Sequence, residues 1–216
     1  MKAHLHALLF ASAKRRRVGN SMRKKLDNEL IYTTALSLFA KYGYKKTTLE
    51  DVASALGMTN SNIYSYANSK QDLYIESVTY GIDQWQDSVR HATSGIESAT
   101  EELSVAFKSA VDYIAYNKTI QTLLKNDPSL FPMFPTVDPI EELNVWAVSF
   151  IEEIIKKGIE QGEFRKINPK ETAQLLFNFY KYFIISAFVE DNGLDIDASS
   201  QMATMSTIIF DGLLDK

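Results

Sequence analysis

The stretch TTLEDVASALGMTNSNIYSYANSKQDL, residues 47–73, carries closely spaced signals for the starts and ends of helices. Thr48 precedes an apolar stripe and Asp51 follows three residues later, a spacing at which the hydroxyl and the carboxylate cap each other's backbone amides at a helix start. Gly57 lies where a left-handed residue closes a helix. This spacing predicts a short helix that begins at about Leu49 and ends before the glycine.

A polar helix is predicted after the glycine turn. Thr59 is a residue type that caps helix starts, and residues 60–66 carry hydroxyl, amide and phenol groups around one apolar residue, Ile63. Ser69 and Asp72 repeat the capping spacing at the start of a third helix. Two short helices joined by a glycine turn, the second with a hydrogen-bonding face, are typical of a helix-turn-helix unit, whose second helix enters the major groove of DNA.

Short motifs in this stretch and just before it form one pattern. They are Phe39-Ala40-Lys41-Tyr42-Gly43, Thr47-Thr48-Leu49, Asp51-Val52-Ala53, Gly57, Tyr64-Ser65-Tyr66, Ser69-Lys70 and Leu73. With these motifs the segment resembles the DNA-binding domain of the TetR family of bacterial transcriptional regulators. It departs from the family at Asn62, where Ser or Thr is usual, and at Ala67, where an aromatic residue is usual. We expect the first departure to alter base choice and the second to loosen packing.

Eight residues of this segment are candidate DNA contacts. Thr48, Tyr66 and Lys70 are expected to bind phosphates, and a cation in the first turn of a helix, as at Lys70, opposes the helix dipole but suits a bound phosphate. The residues placed to reach base edges or adjacent phosphates are Thr59, Asn60, Ser61, Asn62 and Tyr64. For Tyr64, partial burial against the first helix is an equally good interpretation.

The whole chain is predicted to be helical, so the fold class is all-α. Apolar residues at helical spacing and capping signals predict helices over about residues 23–42, 70–90, 101–116, 120–124, 138–158 or 138–162, 168–189 and 198–213. We expect a basic, disordered extension over residues 1–21 and a three-helix helix-turn-helix DNA-binding domain over residues 22–72. A helical effector-binding and dimerisation domain would then occupy residues 73–216.

Charge is distributed unevenly between these parts. Residues 1–75 hold 12 basic and 5 acidic residues, a net +7, whereas the remainder holds 11 basic and 22 acidic residues, a net −11. A positive head attracts phosphates regardless of sequence, and an acidic body stays away from the polyanion. The asymmetry therefore favours DNA as the partner of the N-terminal part.

The first 21 residues leave several origins open. They contain Lys14-Arg15-Arg16-Arg17 and end close to where a chain of the resembled family starts, so upstream translation, vector sequence and a genuine basic arm are all compatible with them. His4 and His6 interrupt the short apolar run, which argues against a signal peptide. The chain has no cysteine, and no segment approaches the roughly 18 apolar residues that span a bilayer. We expect a cytoplasmic protein that contacts no membrane.

A small-molecule cavity is expected in the second domain. Its candidate lining residues are Phe107, Phe131, Met133, Phe134, Trp146, Phe150 and Phe177. Such residues fill cores more often than they line pockets. The family resemblance, however, implies an effector that binds one spacing of two DNA-reading heads better than another. An apolar or aromatic effector would suit these side chains.

The last two predicted helices are more apolar than a surface helix needs to be. In the resembled family these helices form a four-helix bundle across a two-fold axis, which implies a homodimer on a palindromic operator. The candidate interface residues are Phe179, Phe183, Phe188, Met205 and Ile209. A monomeric core built from the same helices is the alternative.

Sequence motifs of enzymes are missing. The chain lacks serine nucleophile elbows, glycine-rich phosphate loops and metal-binding His-Glu helices, so we predict no enzyme, no cofactor and no metal. The predicted function is that of a sequence-specific transcriptional regulator, a repressor that a small apolar or aromatic effector releases or retunes. The alternative is a DNA-bound architectural or scaffolding protein without an effector.

Overall fold

The computed structural model describes residues 22–127, 130, 141–189 and 198–214. The predicted extension over residues 1–21, the helix start predicted at 138 and the pocket candidates Phe131, Met133 and Phe134 lie outside the described residues. The helices are α1 (Met22–Tyr42), α2 (Leu49–Ala55), α3 (Asn60–Ile63), α4 (Lys70–Thr93), α5 (Ala99–Tyr116), α6 (Lys118–Asn126), α7 (Glu141–Gln161), α8 (Pro169–Ile184) and α9 (Ala198–Leu213). A π-helical turn, Ile185–Val189, follows α8.

The chain divides into two compact units. One unit contains the described residues within 1–84 and 117–140, and the other contains those within 85–116 and 141–216. The predicted boundary between residues 72 and 73 is a functional division and stays a prediction. No helix in the described ranges is long and apolar enough to cross a membrane.

The first unit is held together by α1, which packs against α2 and α6. The largest fully buried side chains of this unit are Ile31, Phe39, Val52, Ile63, Leu73 and Val78. Two hydrogen bonds attach the end of α6: Asn126 Nδ2 donates to the carbonyl oxygen of Ala40 at 2.7 Å, and the Tyr74 hydroxyl donates to Asp127 Oδ2 at 2.7 Å. The helix-turn-helix segment therefore lies on a buried core to which α6 contributes.

The second unit is built around α7, which packs against α5 and α8. The predicted start of α8 is confirmed, since Asn168 Oδ1 accepts a hydrogen bond from the Glu171 amide at 3.3 Å and Pro169 is the first helical residue. Glu163 caps α5 from a distance in sequence, because its carboxylate accepts hydrogen bonds from the backbone amides of Ala99 and Thr100. Hydrogen bonds at Thr100 are the main cause that lowers the pKa of Glu163.

Candidate nucleic-acid and effector sites

The start of α2 has the reciprocal cap that the sequence predicts. The Thr48 amide donates to Asp51 Oδ2 at 2.8 Å, and the Asp51 amide donates to Thr48 Oγ1 at 3.1 Å. The Thr48 hydroxyl also donates to Asp51 Oδ2, at 2.7 Å, so its proton is already engaged. These bonds from Thr48 lower the pKa of the Asp51 carboxyl. Thr48 is exposed, and a phosphate that recruited its hydroxyl would compete with this cap.

The turn between α2 and α3 is closed by Gly57. Its φ of 64° lies in the left-handed region that favours glycine. The Met58 amide donates to the Ala53 carbonyl at 2.8 Å and the Gly57 amide donates to the Ser54 carbonyl at 3.1 Å, which is the Schellman pattern of helix termination. The predicted glycine turn is confirmed, and it fixes the direction in which α3 leaves α2.

Helix α3 is shorter than the sequence predicts, and its cap differs. The α-helix covers Asn60–Ile63 rather than residues 60–66. Thr59 has the extended backbone of a capping residue but makes no side-chain cap bond, because its hydroxyl pairs with Ser61 Oγ at 3.0 Å. The Ser65 hydroxyl donates to the Asn62 carbonyl at 2.7 Å, and such local bonds compete with helix continuation.

A polar surface is nevertheless presented by this short helix. Five of the eight candidate DNA contacts are exposed around it: Thr59, Asn60, Ser61, Asn62 and Tyr64. Ile63 is fully buried and anchors the helix, whereas 52% of Tyr64 is exposed. Tyr64 is thus partly exposed and partly buried, and both the DNA contact and the partial burial stay predictions. Tyr66 is half-buried, and Ala67, where the resembled family has an aromatic residue, is buried.

Lys70 has contacts that sequence spacing did not predict. Its Nζ donates to the carbonyl oxygen of Lys45 at 3.3 Å and lies 4.6 Å from the centroid of the Tyr44 ring. The Tyr44 ring in turn lies 5.0 Å from that of Tyr74. Lys70 thus connects the start of α4 to the turn before α2. Exposed lysines on this turn, Lys45 and Lys46, are further candidate phosphate contacts that no helical pattern marks.

The four described effector-site candidates, Phe107, Trp146, Phe150 and Phe177, lie in the second unit, and their contacts do not join them into one cluster. Phe107 is buried and its ring lies 5.9 Å from that of Tyr180, which the sequence did not single out for the site. Trp146 and Phe150 stack at 5.2 Å, and the Arg90 guanidinium lies 4.5 Å above the Trp146 ring. Phe177 is also buried, and the Lys181 ammonium lies 5.9 Å from its ring.

The interface candidates do not share one exposed face. Phe179 is exposed and Phe188 and Met205 are partly exposed, but Phe183 and Ile209 are buried within their own chain. The exposed apolar residues of these helices are Leu175 at 58%, Phe179 at 57%, Tyr182 at 59% and Ile208 at 68%. Leu175, Phe179 and Tyr182 repeat every three or four residues and therefore form one stripe along α8.

No group of three or more His, Cys, Asp or Glu side chains that could hold a metal ion occurs in the described part of the chain. The chemistry available at the exposed face of α3 is hydrogen bonding by amides, hydroxyls and a phenol, which suits base edges and phosphate oxygens. A glycine turn joins this helix to a capped one. Together these features define a helix-turn-helix DNA-binding protein.

The family within this class follows from comparison with known sequences. The profile of the family described as "Bacterial regulatory proteins, tetR family" matches residues 31–76, which include α2 and α3. Residues 31–76 therefore form a DNA-binding domain of the TetR family of bacterial transcriptional regulators. The all-α fold class and the family resemblance are confirmed.

Relatives along most of the chain are regulators too. The uncharacterized HTH-type transcriptional regulator YfiR of Bacillus subtilis (strain 168) is 23% identical over 190 residues, which cover 81% of this chain and 87% of YfiR. The HTH-type transcriptional repressor KstR2 of Mycobacterium tuberculosis is 22% identical over 147 residues, which cover 68% of this chain and 72% of KstR2. The chain is a DNA-binding transcriptional regulator and not an enzyme.

A solved structure has the same fold. It is that of AibR in complex with isovaleryl coenzyme A and operator DNA, which superposes with a TM-score of 0.61 at 20% identity. The superposition covers 85% of this chain and 97% of the AibR chain. At this identity the likeness concerns the fold alone.

Proposed function

We propose that this regulator is a homodimeric repressor that reads a palindromic operator through α3 and leaves it when an apolar or aromatic effector binds to the second unit. The observation that carries the proposal is the polar, exposed face of α3 on a buried anchor, Ile63. Side chains held in this way can donate to and accept from base edges without rearranging the core beneath them.

The proposed dimer rests on the exposed apolar stripe of α8. Leu175, Phe179 and Tyr182 are each more than half exposed, and contiguous apolar patches on a protein surface mark sites of association. A homodimer with two-fold symmetry carries two copies of α3, one for each half-site of a palindromic operator. The proposed interface therefore consists of this stripe and Ile208. The buried Phe183 and Ile209 are not part of it.

The proposed effector response is supported by the aromatic content of the second unit and by AibR, which has the same fold and was solved with both isovaleryl coenzyme A and operator DNA. An effector releases DNA only if it binds the DNA-free conformation more tightly than the DNA-bound one. Repression is proposed by analogy with KstR2, a repressor. We propose the cytoplasm as the location of this protein, because bacterial DNA lies there.

Transcription in vitro tests the proposed function. The template carries the sequence that the purified protein binds most tightly, placed across a promoter, and the control template carries a scrambled site. We expect the protein to reduce transcription from the first template alone and apolar compounds that bind the protein to restore it. Unaltered transcription would contradict repression. Repression that no bound compound relieves would favour the architectural alternative.

A further inference from the structure

The hydroxyl of Tyr180 has no hydrogen-bond partner. Tyr180 Oη is the one side-chain polar atom, among the described residues, that is fully buried and unpaired. Neighbouring polar groups of the second unit are paired: the Nε1 of the partly buried Trp85 donates to the Ala110 carbonyl at 2.9 Å, and the buried Thr93 Oγ1 donates to the Val89 carbonyl at 2.9 Å. Since buried polar groups are paired in the great majority of cases, this hydroxyl calls for an explanation.

Other aromatic rings lie close to the ring of Tyr180. The Tyr180 ring lies 5.9 Å from the Phe107 ring and 6.3 Å from the Trp85 ring, and Trp85 stacks on Tyr113 at 6.4 Å. These residues come from α4, α5 and α8, so three helices converge on the phenol. A ligand beside Tyr180 would contact these apolar rings and could accept a hydrogen bond from the unpaired Tyr180 hydroxyl.

Packing alone does not account for a tyrosine at position 180. A phenylalanine would fill the same space and make the same ring contacts without burying an unpaired hydroxyl, which costs free energy. An unpaired polar group lowers the stability of the ligand-free protein. Such a cost is typical of a site in which a ligand supplies the missing partner.

We infer that the Tyr180 hydroxyl is the hydrogen-bonding contact of the effector site, and that the effector is an apolar or aromatic molecule with one neutral oxygen acceptor such as a carbonyl. This inference rests on the proposed effector response. The Tyr180 hydroxyl donates a hydrogen bond to the acceptor oxygen of the effector, while Phe107 and Trp85 contact the apolar body of the effector.

The protonation state of the phenol agrees with this role. Burial raises the pKa of Tyr180 well above its ordinary value, so the hydroxyl keeps its proton throughout the physiological range. A neutral donor in apolar surroundings prefers a neutral acceptor, because burying an unpaired charge costs far more than burying a carbonyl.

The test uses Tyr180→Phe in the full chain, with Tyr113→Phe as a matched control that removes a hydroxyl from the same aromatic group. Binding is measured by thermal shift and by titration with pairs of compounds that differ only in the acceptor, starting with benzophenone and diphenylmethane and extending to aliphatic ketones and their parent hydrocarbons. We expect Tyr180→Phe to melt no lower than the wild type. We also expect it to bind the ketones about 10-fold more weakly, the loss of one hydrogen bond, and the hydrocarbons equally well.

The results distinguish failure of the Tyr180 contact from failure of the proposed effector response. A lower melting temperature for Tyr180→Phe without ligand would show a structural partner for the hydroxyl and overturn the inference. Ketones that bind Tyr180→Phe and the wild type equally, or that lose affinity equally in Tyr113→Phe, would also overturn it while leaving the effector response intact. If no compound of either kind bound the wild type, the proposed effector response would fail together with the inference.

Discussion

Asp51 illustrates how a single side chain sets up the DNA-reading segment. Its carboxylate accepts from both the amide and the hydroxyl of Thr48, so the first turn of α2 is fixed before any DNA is present. Lys70 has a comparable role at the next helix start, since its ammonium binds the turn that leads into α2. Polar side chains thus position α2 and α4 around the recognition helix.

The Asp51 cap predicts a pH dependence of stability. Hydrogen bonds from Thr48 lower the pKa of Asp51 in the folded state, so the cap stabilises the protein above the ordinary carboxyl pKa and this stabilisation is lost as the pH falls through the folded value. We expect Asp51→Ala to be less stable than the wild type at pH 7 and the difference to shrink below about pH 4. Urea unfolding across this range measures it. Glu50→Ala, which removes a neighbouring carboxylate and no cap bond, should show no such convergence.

Lys70→Ala separates a phosphate contact from a structural one. If Lys70 binds a phosphate, the variant should bind all DNA duplexes more weakly by a similar factor, and the slope of log affinity against log salt should fall by about one. Lys108 pairs with Asp112 and lies outside the basic N-terminal part of the chain. The control variant Lys108→Ala should therefore leave the slope unchanged. An unchanged slope for Lys70→Ala would mean that Lys70 acts only by holding Lys45 and Tyr44.

Local signals in the sequence were sufficient for several helix ends, although not for those of α3. Thr48 with Asp51, Gly57, and Asn168 with Pro169 each cap or terminate a helix through bonds within a few residues, and each is where the sequence places it. Contacts between distant segments are different, because nothing in the spacing of Tyr44 and Lys70 or of Trp85 and Tyr180 reveals that they meet.

The apolar helices show the same limit. On a helix that is apolar all round, periodicity does not identify which face is buried by the helix's own chain. Phe179 and Phe183 are one turn apart on α8, yet the first is exposed and the second is buried. The interface candidates were therefore only partly on the exposed face. The short α3 was overestimated for another reason, since the Ser65 hydroxyl binds the Asn62 carbonyl and ends the helix early.

Two glycines within helices predict opposite stability changes. A Cβ on Gly158 of α7 would lie 2.2 Å from the buried ring of Phe164, whereas a Cβ on Gly212 of α9 would meet only Arg165 Nη2 at 3.8 Å. Overpacking should make Gly158→Ala less stable by about 1–3 kcal/mol despite its better helix propensity. Gly212→Ala should gain up to about 1 kcal/mol. Denaturant unfolding of both variants measures the contrast, and equal effects would argue against close packing of α7 on Phe164.

A substitution in the apolar stripe of α8 tests whether this stripe forms the dimer interface. Tyr182→Glu places a charge in the proposed interface, where burial without a partner is costly, and should convert a dimer into a monomer at micromolar concentration. Tyr116→Glu is the matched control, because Tyr116 is an exposed tyrosine at the end of α5, outside the stripe. Sedimentation velocity measures the mass. A dimer that persists in Tyr182→Glu, or a monomeric wild type, would contradict the proposed interface.

A homodimer that binds DNA through two copies of α3 should select a two-fold symmetric sequence, and sequencing of random duplexes recovered by the purified protein measures this. We expect an inverted repeat whose half-sites lie about 10 base pairs apart or a multiple of that, the spacing of successive major grooves. Asn62→Ala should select an altered half-site with the same symmetry. Recovery of no enriched sequence, or of an unpaired half-site, would contradict binding of DNA by a symmetric dimer.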